Sequence, residues 1–387
     1  MKHGLQEQKC SVRDIKVFNG LQGLECIESD WRRITEAMEK AGFYHAYEWC
    51  HAYMSHLETR PNDVYFFLVR KNNEAVAVVP LRKRLDFFYG LKLRAWETPH
   101  TNQMPLCDFV VIDNINVSEV FQGVLSEINL QGQYKHDAIF LTKVLEGDNA
   151  SKLIAPNALK QKLVERTTFS KYLNCSNAKE ATEVLGTGKF RRNLRRLEKR
   201  LGSKGEIVYK YVQDAKEIMD VFPQFLEVEA SGWKGGTGTK TAIKLDEHVK
   251  AFYTELLETF GELGKCRINL LLLNESPVAA QFCLLDDGRI NLIKIGHDPT
   301  YQECSPGFLL IKKVFEDNCG QNHINQISFV TGAEWNDIFK PEKLDVFSIE
   351  IFNTTTKGRL VFFAKKLKET LKGWIRGHNQ TTTQCIE

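Results

Sequence analysis

A strand-like run ending at Gly296 leads through His297, Asp298, Pro299, Thr300, Tyr301, Gln302, Glu303 and Cys304 into Ser305, Pro306 and Gly307, ahead of the apolar Phe308, Leu309 and Leu310. Serine is favoured just before a helix, proline fits the first helical position because it has no N–H to leave unpaired, and glycine keeps the first turn free of a β-carbon. Free N–H groups at such a start, together with the helix dipole, make an anion site. A pyrophosphate there would lie against the N–H groups of Gly307, Phe308 and Leu309. An ordinary capped helix start uses the same residues, so both readings stay open.

Three other segments could carry chemistry. Residues 189–200 hold seven basic side chains in twelve, yet Phe190, Leu194, Leu197 and Leu201 recur at helical spacing. This predicts an amphipathic helix whose basic face either neutralises phosphates or is simply solvated. Glycine-rich residues 229–239 contain Trp233, as the wall of an acceptor pocket or anchored in the core. Near the C-terminus, Leu360, Ala364, Leu367, Leu371 and Trp374 with Lys365, Lys366, Lys368 and Lys372 predict a second amphipathic helix, lying on its own domain or on an anionic membrane surface. The ten histidines show no HExxH or HxH spacing and the ten cysteines no CxxC pair, so no metal site is expected and the thiols read as reduced and mostly buried.

The elements that must position these groups follow from periodicity. Two short helices are predicted within residues 31–58, a hairpin from Val64–Val69 and Ala75–Leu81 around Lys71, Asn72 and Asn73, a strand at Cys107–Ile112, a helix at Val117–Leu130 and a strand at Asp137–Leu141. The second half repeats this order. A strand at Ile207–Val212 precedes helices N-capped by Asp214 and Asp246, then a hairpin from Ile268–Leu273 and Pro277–Leu285, and a strand at Ile290–Ile295. Superposing the hairpins puts Val76 and Ala77 on Val278 and Ala279, which points to a tandem duplication.

With 387 residues, 43% hydrophobic and 26% charged, the chain is long enough for about two globular domains and is not disordered. Fifty-two basic against 49 acidic residues leave a net charge of +3, too small for the whole molecule to act as a polycation, so any basic function is local. Residues 1–13 lack an apolar core of the secretory type and no apolar run approaches the ~18 residues that span a bilayer; a cytoplasmic location is the expectation.

In order and spacing these segments resemble the GNAT acyltransferase superfamily, specifically its tandem, CelD-like acetyltransferases, which are related to the Fem-type aminoacyl transferases. The resemblance rests on Phe190 to Arg196, on Trp233, Lys234 and Gly235, on Val278 to Ala280, and on the run from Gly296, His297, Asp298 and Pro299 to Ser305, Pro306 and Gly307. It covers residues 180 to 340 well and the first half by element order. It implies a mixed α/β fold of two tandem GNAT-like domains, each a mostly antiparallel, centrally splayed sheet flanked by helices. Residues 1–180 would be a degenerate copy, and residues 181–387 the acyltransferase domain with a basic entry helix (189–201) and a C-terminal amphipathic helix (358–376).

The implied activity is transfer of an acyl group, acetyl in the first instance, from acyl-CoA to an amine on an amino sugar or a polysaccharide or cell-envelope precursor, with no metal. Ser305, Gly307, Phe308 and Leu309, with Arg191 and Arg195, would face the cofactor phosphates. Such chemistry needs a base for the incoming ammonium, donors for the oxyanion and an acid for the leaving thiolate. Asp298 or Glu229 would serve as base and Tyr301 as acid or orienting hydroxyl, with Trp233, Lys234 and Trp335 on the acceptor side. One departure stands out: Trp335 and Asn336 follow Gly332 where this branch usually has adjacent tyrosine and lysine. Two rival classes are a Fem-type transferase holding aminoacyl-tRNA on the Arg191–Arg200 face, and a non-catalytic module for an anionic ligand.

Overall fold

Turn and cap residues divide the chain into two series of elements that share the order strand, helices, three antiparallel strands, helix and two strands. The computed structural model describes residues 14–175, 185, 187–319 and 324–383, without the side chains of residues 133, 369 and 372–383. The expected boundary between residues 180 and 181, and the side chains of Lys372 and Trp374, lie outside that description. The first series is β1 (Asp14–Asn19), α1 (Gly20–Cys26), α2 (Glu28–Glu36), α3 (Tyr47–Ala52), β2 (Val64–Lys71), β3 (Glu74–Phe88), β4 (Leu91–Glu97), β5 (Val110–Val111), α4 (Val117–Leu130), β6 (Ala138–Leu145) and β7 (Lys162–Asn174). The second is α5 (Gly188–Gly202), β8 (Ile207–Val212), α6 (Ala215–Ser231), α7 (Glu247–Glu262), β9 (Cys266–Leu273), β10 (Ser276–Asp286), β11 (Arg289–His297), α8 (Pro306–Asn318), β12 (Gln326–Ser328), β13 (Glu342–Phe352) and α9 (Thr356–Thr383).

Both hairpins close on two residues with positive φ, Asn72 and Asn73 at 53° and 67°, and Asn274 and Glu275 at 47° and 66°. Turns of this kind match the right-handed twist of the strands they join. Asp214 accepts the N–H groups of Lys216 and Glu217, and Asp246 those of His248 and Val249, so the two expected caps start α6 and α7. Phe190, Leu194, Leu197 and Leu201 are the buried stripe of α5.

The sheet runs β1-β2-β3-β4-β6-β13-β7-β12-β11-β10-β9-β8, with β5 paired to β3. From either end the pairings are antiparallel for three steps and then parallel, at β4 with β6 and at β11 with β12. At the centre the halves exchange strands. β13 from the second half pairs with β6, β7 from the first pairs with β12, and β13 and β7 pair with each other. The fold is therefore a mixed α/β tandem of two mostly antiparallel sheets, joined into one by exchanged strands.

The largest core lies between α1–α3 and α6–α7, where Trp49 meets Phe252 at 5.3 Å, so helices of the two halves pack on each other. Separate cores lie under α4, and under α5 and α8.

Three expectations change. Cys107–Ile112 is not a full strand: only Val110 and Val111 join the sheet, because Asp108 accepts the N–H groups of Asn149 and Ala150 and holds the chain by side-chain bonds. The long strand that follows the hairpin is β4 instead, paired with β3 and β6. The C-terminal helix α9 packs on the first half, with Val361 and Phe362 against Leu93, Ala95, Ala138 and Phe140, because strand exchange carries β13 there. Finally, Cys175 and Cys319 form a disulfide rather than free thiols; pairing of β7 with β12 brings the end of β7 to the end of α8 across 144 residues of sequence. Cys107, Cys266, Cys283 and Cys304 are buried free thiols, Cys50 is partly buried and Cys26 exposed.

Candidate active site

The parallel pair β11–β12 lasts three residues, from Arg289 opposite Gln326 to Asn291 opposite Ser328, while β11 continues along β10 to His297. The chain leaves the sheet after Ser328 through a tight turn in which the Thr331 N–H donates to the Phe329 carbonyl at 2.6 Å and Val330 sits at φ +61°. A β-branched residue in this region is strained, and such strain is characteristic of functional sites. The splay opens a cavity of about 760 Å³ bounded by β10, β11, the end of α6, the start of α8 and the segment after β12.

Glu229, Trp233, Lys234, Ser305, Gly307, Phe308 and Trp335 line the cavity, whereas Asp298, Tyr301, Leu309, Arg191 and Arg195 do not. The structure thus brings the acceptor-side residues and the helix start together. Gly296 explains how Glu229 arrives: a β-carbon at Gly296 would lie 2.5 Å from the Glu229 Cα, so α6 rests directly on the β11 backbone. Glu229 is 2% exposed and fully engaged, one carboxylate oxygen 3.0 Å from Lys234 Nζ and the other accepting the Ile243 N–H at 3.0 Å. Lys234 Nζ also donates to the Ile295 carbonyl at 2.8 Å. Trp233 is 65% exposed, which decides against a core anchor. Trp335 lies nearly parallel to Phe308 at 6.2 Å, while Asn336 is fully buried with neither amide atom bonded.

At the helix start, Ser305 occupies the cap position but adopts φ +48° and its side chain caps nothing. Its carbonyl instead accepts the Phe308 and Leu309 N–H groups at 3.0 and 3.2 Å. The anion-binding capacity therefore narrows to the Gly307 N–H, beside the His297 ring: a β-carbon at Gly307 would be 3.8 Å from His297 Nδ1. Burial holds the His297 pKa below its usual value, with Asp298 opposing. Asp298 itself caps the following turn, accepting the Thr300 N–H at 2.8 Å, and Tyr301 packs against the α5–α8 core. Arg195 is exposed on α5, but Arg191 buries an Nη1 that has no partner, and the neighbouring Phe190 ring meets Phe308 at 6.4 Å.

Lys294 escaped the sequence reading. One extra residue on β11, where Phe282 opposes Lys294 and Cys283 opposes Leu292, breaks the strand's alternation. Leu292 and Ile295 face the α8 core and Ile293 the α6–α7 core, while Lys294 lines the cavity with Nζ 5.6 Å from the Tyr253 ring. Burial, reinforced by Lys234 and opposed by Glu229, lowers its pKa to about 8. Unlike Lys234, it has no carboxylate partner among the described residues.

Among the described residues one group has metal-ligand geometry, His45, Asp108 and Asp148. Its donors are engaged within the protein. His45 Nδ1 accepts the Gly42 N–H at 2.8 Å, its Nε2 meets Asp108 at 2.9 Å, and Tyr44 donates to Asp148 at 2.7 Å.

Residues 188–340 match the family model described as Acetyltransferase (GNAT) domain. Residues 188–340 thus form a GNAT-type acyltransferase domain, and that domain contains the whole of the cavity wall. No curated protein sequence matches. Among solved structures, FemX is similar over 87% of this chain and 98% of its own, with a TM-score of 0.53 and 10% identity. A conserved protein of unknown function from Bacteroides thetaiotaomicron VPI-5482 covers 84% of this chain and 97% of its own, at 0.51 and 13% identity. The C-terminal domain of a putative lysylphosphatidylglycerol synthetase from Agrobacterium fabrum covers 88% and 96%, at 0.51 and 10% identity. At such identities these likenesses speak to the fold alone.

Proposed function

We propose that the protein is an N-acyltransferase that moves an acyl group, acetyl in the simplest case, from acyl-CoA to an amine within the β11–β12 cavity. The observation that carries this reading is the convergence in one cavity of the unpaired Gly307 N–H at a helix start, the aromatic walls Phe308 and Trp335, and the unpaired amine of Lys294. The residues present suit the cofactor. Gly307 leaves the helix start open to an anion, Arg191 has an unused guanidinium nitrogen, and the splayed strands offer backbone to an extended chain. When bound, acyl-CoA supplies a thioester carbonyl activated toward attack.

The protein's share of the chemistry is to hold the amine and move its proton. Lys294, with a pKa near 8, is partly neutral in mildly alkaline solution and takes the proton of an incoming ammonium. Lys234 and Glu229 neutralise each other and fix the end of α6, and Trp233 and Trp335 border the acceptor side. Asp298 and Tyr301 shape the turn that aims α8. The acceptor class, an amine on an amino sugar or on a polysaccharide or cell-envelope precursor, rests on the family resemblance alone.

Isothermal titration with acetyl-CoA tests the cofactor assignment. Micromolar to sub-millimolar binding is expected, weakened by about tenfold or more in Gly307→Glu, where the new β-carbon makes only ordinary contact with His297 and the side chain places a carboxylate at the anion site. No binding at millimolar ligand, or binding indifferent to Gly307→Glu, would sink it. Amine-dependent release of CoA thiol then identifies the acceptor.

A further inference from the structure

One face of α9 is covered and the opposite face is not. Val361 and Phe362 are buried on the first half of the sheet, and Lys365 Nζ pairs with Glu350 at 2.7 Å. Leu360, Phe363, Leu367 and Leu371 are 60%, 62%, 62% and 52% exposed. At about 100° per residue these four fall within an arc of roughly 80°, facing away from Val361 and Phe362. They form a continuous apolar stripe that no described residue covers.

A second element adds to this surface. The β3–β4 hairpin closes on Tyr89 and Gly90, with φ of 46° and 82°, and exposes Tyr89 at 84%, while Leu85 and Phe87 alternate to the other face of the sheet from Phe88, which packs with α9. Its tip lies beside α9, with Lys368 Nζ 3.5 Å from the Tyr89 hydroxyl and Lys357 Nζ donating to the Lys92 carbonyl at 2.9 Å. Five of the fifteen large apolar side chains exposed among the described residues belong to α9 and the Tyr89 tip it meets, so their clustering is not the scatter of an ordinary surface.

Charge selects the occupant. The α9 sequence carries seven lysines and arginines against one glutamate, a net +6 on a chain whose total is +3. By helical spacing Lys357 and Lys368 border the stripe on one side, and Arg359 and Lys366 on the other. Apolar residues flanked on both sides by long cationic side chains suit the boundary between acyl chains and anionic headgroups, where the apolar face sinks in and the lysines reach out to phosphate. A second copy of the chain would instead bring two such positive helices together. No helix among the described residues is long and apolar enough to cross a membrane, so the contact would be with its surface.

We propose that α9 and the β3–β4 hairpin tip dock the protein on an anionic lipid bilayer. The test is co-sedimentation of the full chain with vesicles of phosphatidylcholine alone and of phosphatidylcholine with about 30% phosphatidylglycerol. Binding to the anionic vesicles should be at least about tenfold tighter and should weaken as salt rises from about 0.05 to 0.5 M. The double variant Phe363→Glu, Leu367→Glu and, separately, Tyr89→Ser should each weaken binding, the first by about tenfold or more, without a change in melting temperature, since all three side chains are exposed. Equal binding to both vesicle types, no binding to either, or indifference to both variants would overturn the assignment. So would a dimer in light scattering that Leu367→Glu disperses, which would show a second copy on this face.

Discussion

Replacing Lys294 by methionine separates the cost of its buried charge from its use. In an unfolded chain the lysine pKa is ~10.4, whereas in the cavity burial, with a further push from Lys234, brings it to about 8. Each tenfold change in a protonation equilibrium is worth ~1.4 kcal/mol, so the charged amine costs the folded state at most about 3 kcal/mol at pH 7, and water entering the open cavity brings this to about 1–2 kcal/mol. Below pH 8 both states hold the proton and the folded protein bears the whole cost. Between pH 8 and ~10.4 the unfolded chain keeps a proton that the folded protein has released, so wild-type stability rises with pH through that window. Methionine has a similar length and no charge. Lys294→Met should therefore be more stable than wild type by about 1–2 kcal/mol at pH 7 in urea titrations, with the advantage shrinking toward zero by about pH 10. The same variant should lose at least about tenfold in amine-dependent thiol release. A variant less stable than wild type at pH 7, or an advantage unchanged between pH 7 and 10, would refute the account of Lys294 as an uncompensated buried amine.

Gly296→Ala should destabilise by about 1–3 kcal/mol and weaken acetyl-CoA binding, because its β-carbon would meet the Glu229 backbone and lift α6 from β11; an unchanged melting temperature would show that α6 can move freely. At the contact between halves, Glu255 of α7 meets His51 Nδ1 and His56 Nε2, each at 2.6 Å. The hydrogen bond to Glu255 raises the His51 pKa, and bonds to the two histidines hold Glu255 below its usual value against the opposing effect of burial. The His51 contribution is complete below ~6.5 and is lost as pH rises through its raised pKa, while that of Glu255 is present above ~4.5 and is lost as pH falls through its lowered one. Glu255→Gln should therefore cost about 1 kcal/mol near pH 6 and less at pH 8.5, and an equal cost at both values would remove the histidines from the explanation.

What was legible in the chain is what local chemistry decides. Asp214 and Asp246 announce their helices because a carboxylate bonds N–H groups two and three residues on, and the two Asn-containing turns announce their hairpins because few residues tolerate positive φ twice in succession. The helix-start motif at Ser305–Gly307 was legible as a location, although its detail differs: the serine turns left-handed and only the Gly307 N–H stays free. The exchanged strands were not legible. β7 and β13 carry charged residues at several positions, and their pairing depends on contacts far apart in the sequence, as does the Cys175–Cys319 bond across 144 residues. Lys294 shows the limit most clearly. Between Ile293 and Ile295 it reads as the polar member of an alternating strand whose outer face meets water. That inference requires a regular strand and an uncovered face. The bulge at Ile293 removes the first condition, and α6, held against β11 by Gly296, removes the second. A polar residue in a strand becomes a candidate for chemistry only once the element covering it is known, and here that element is placed by a glycine whose role lies entirely in what it allows to approach.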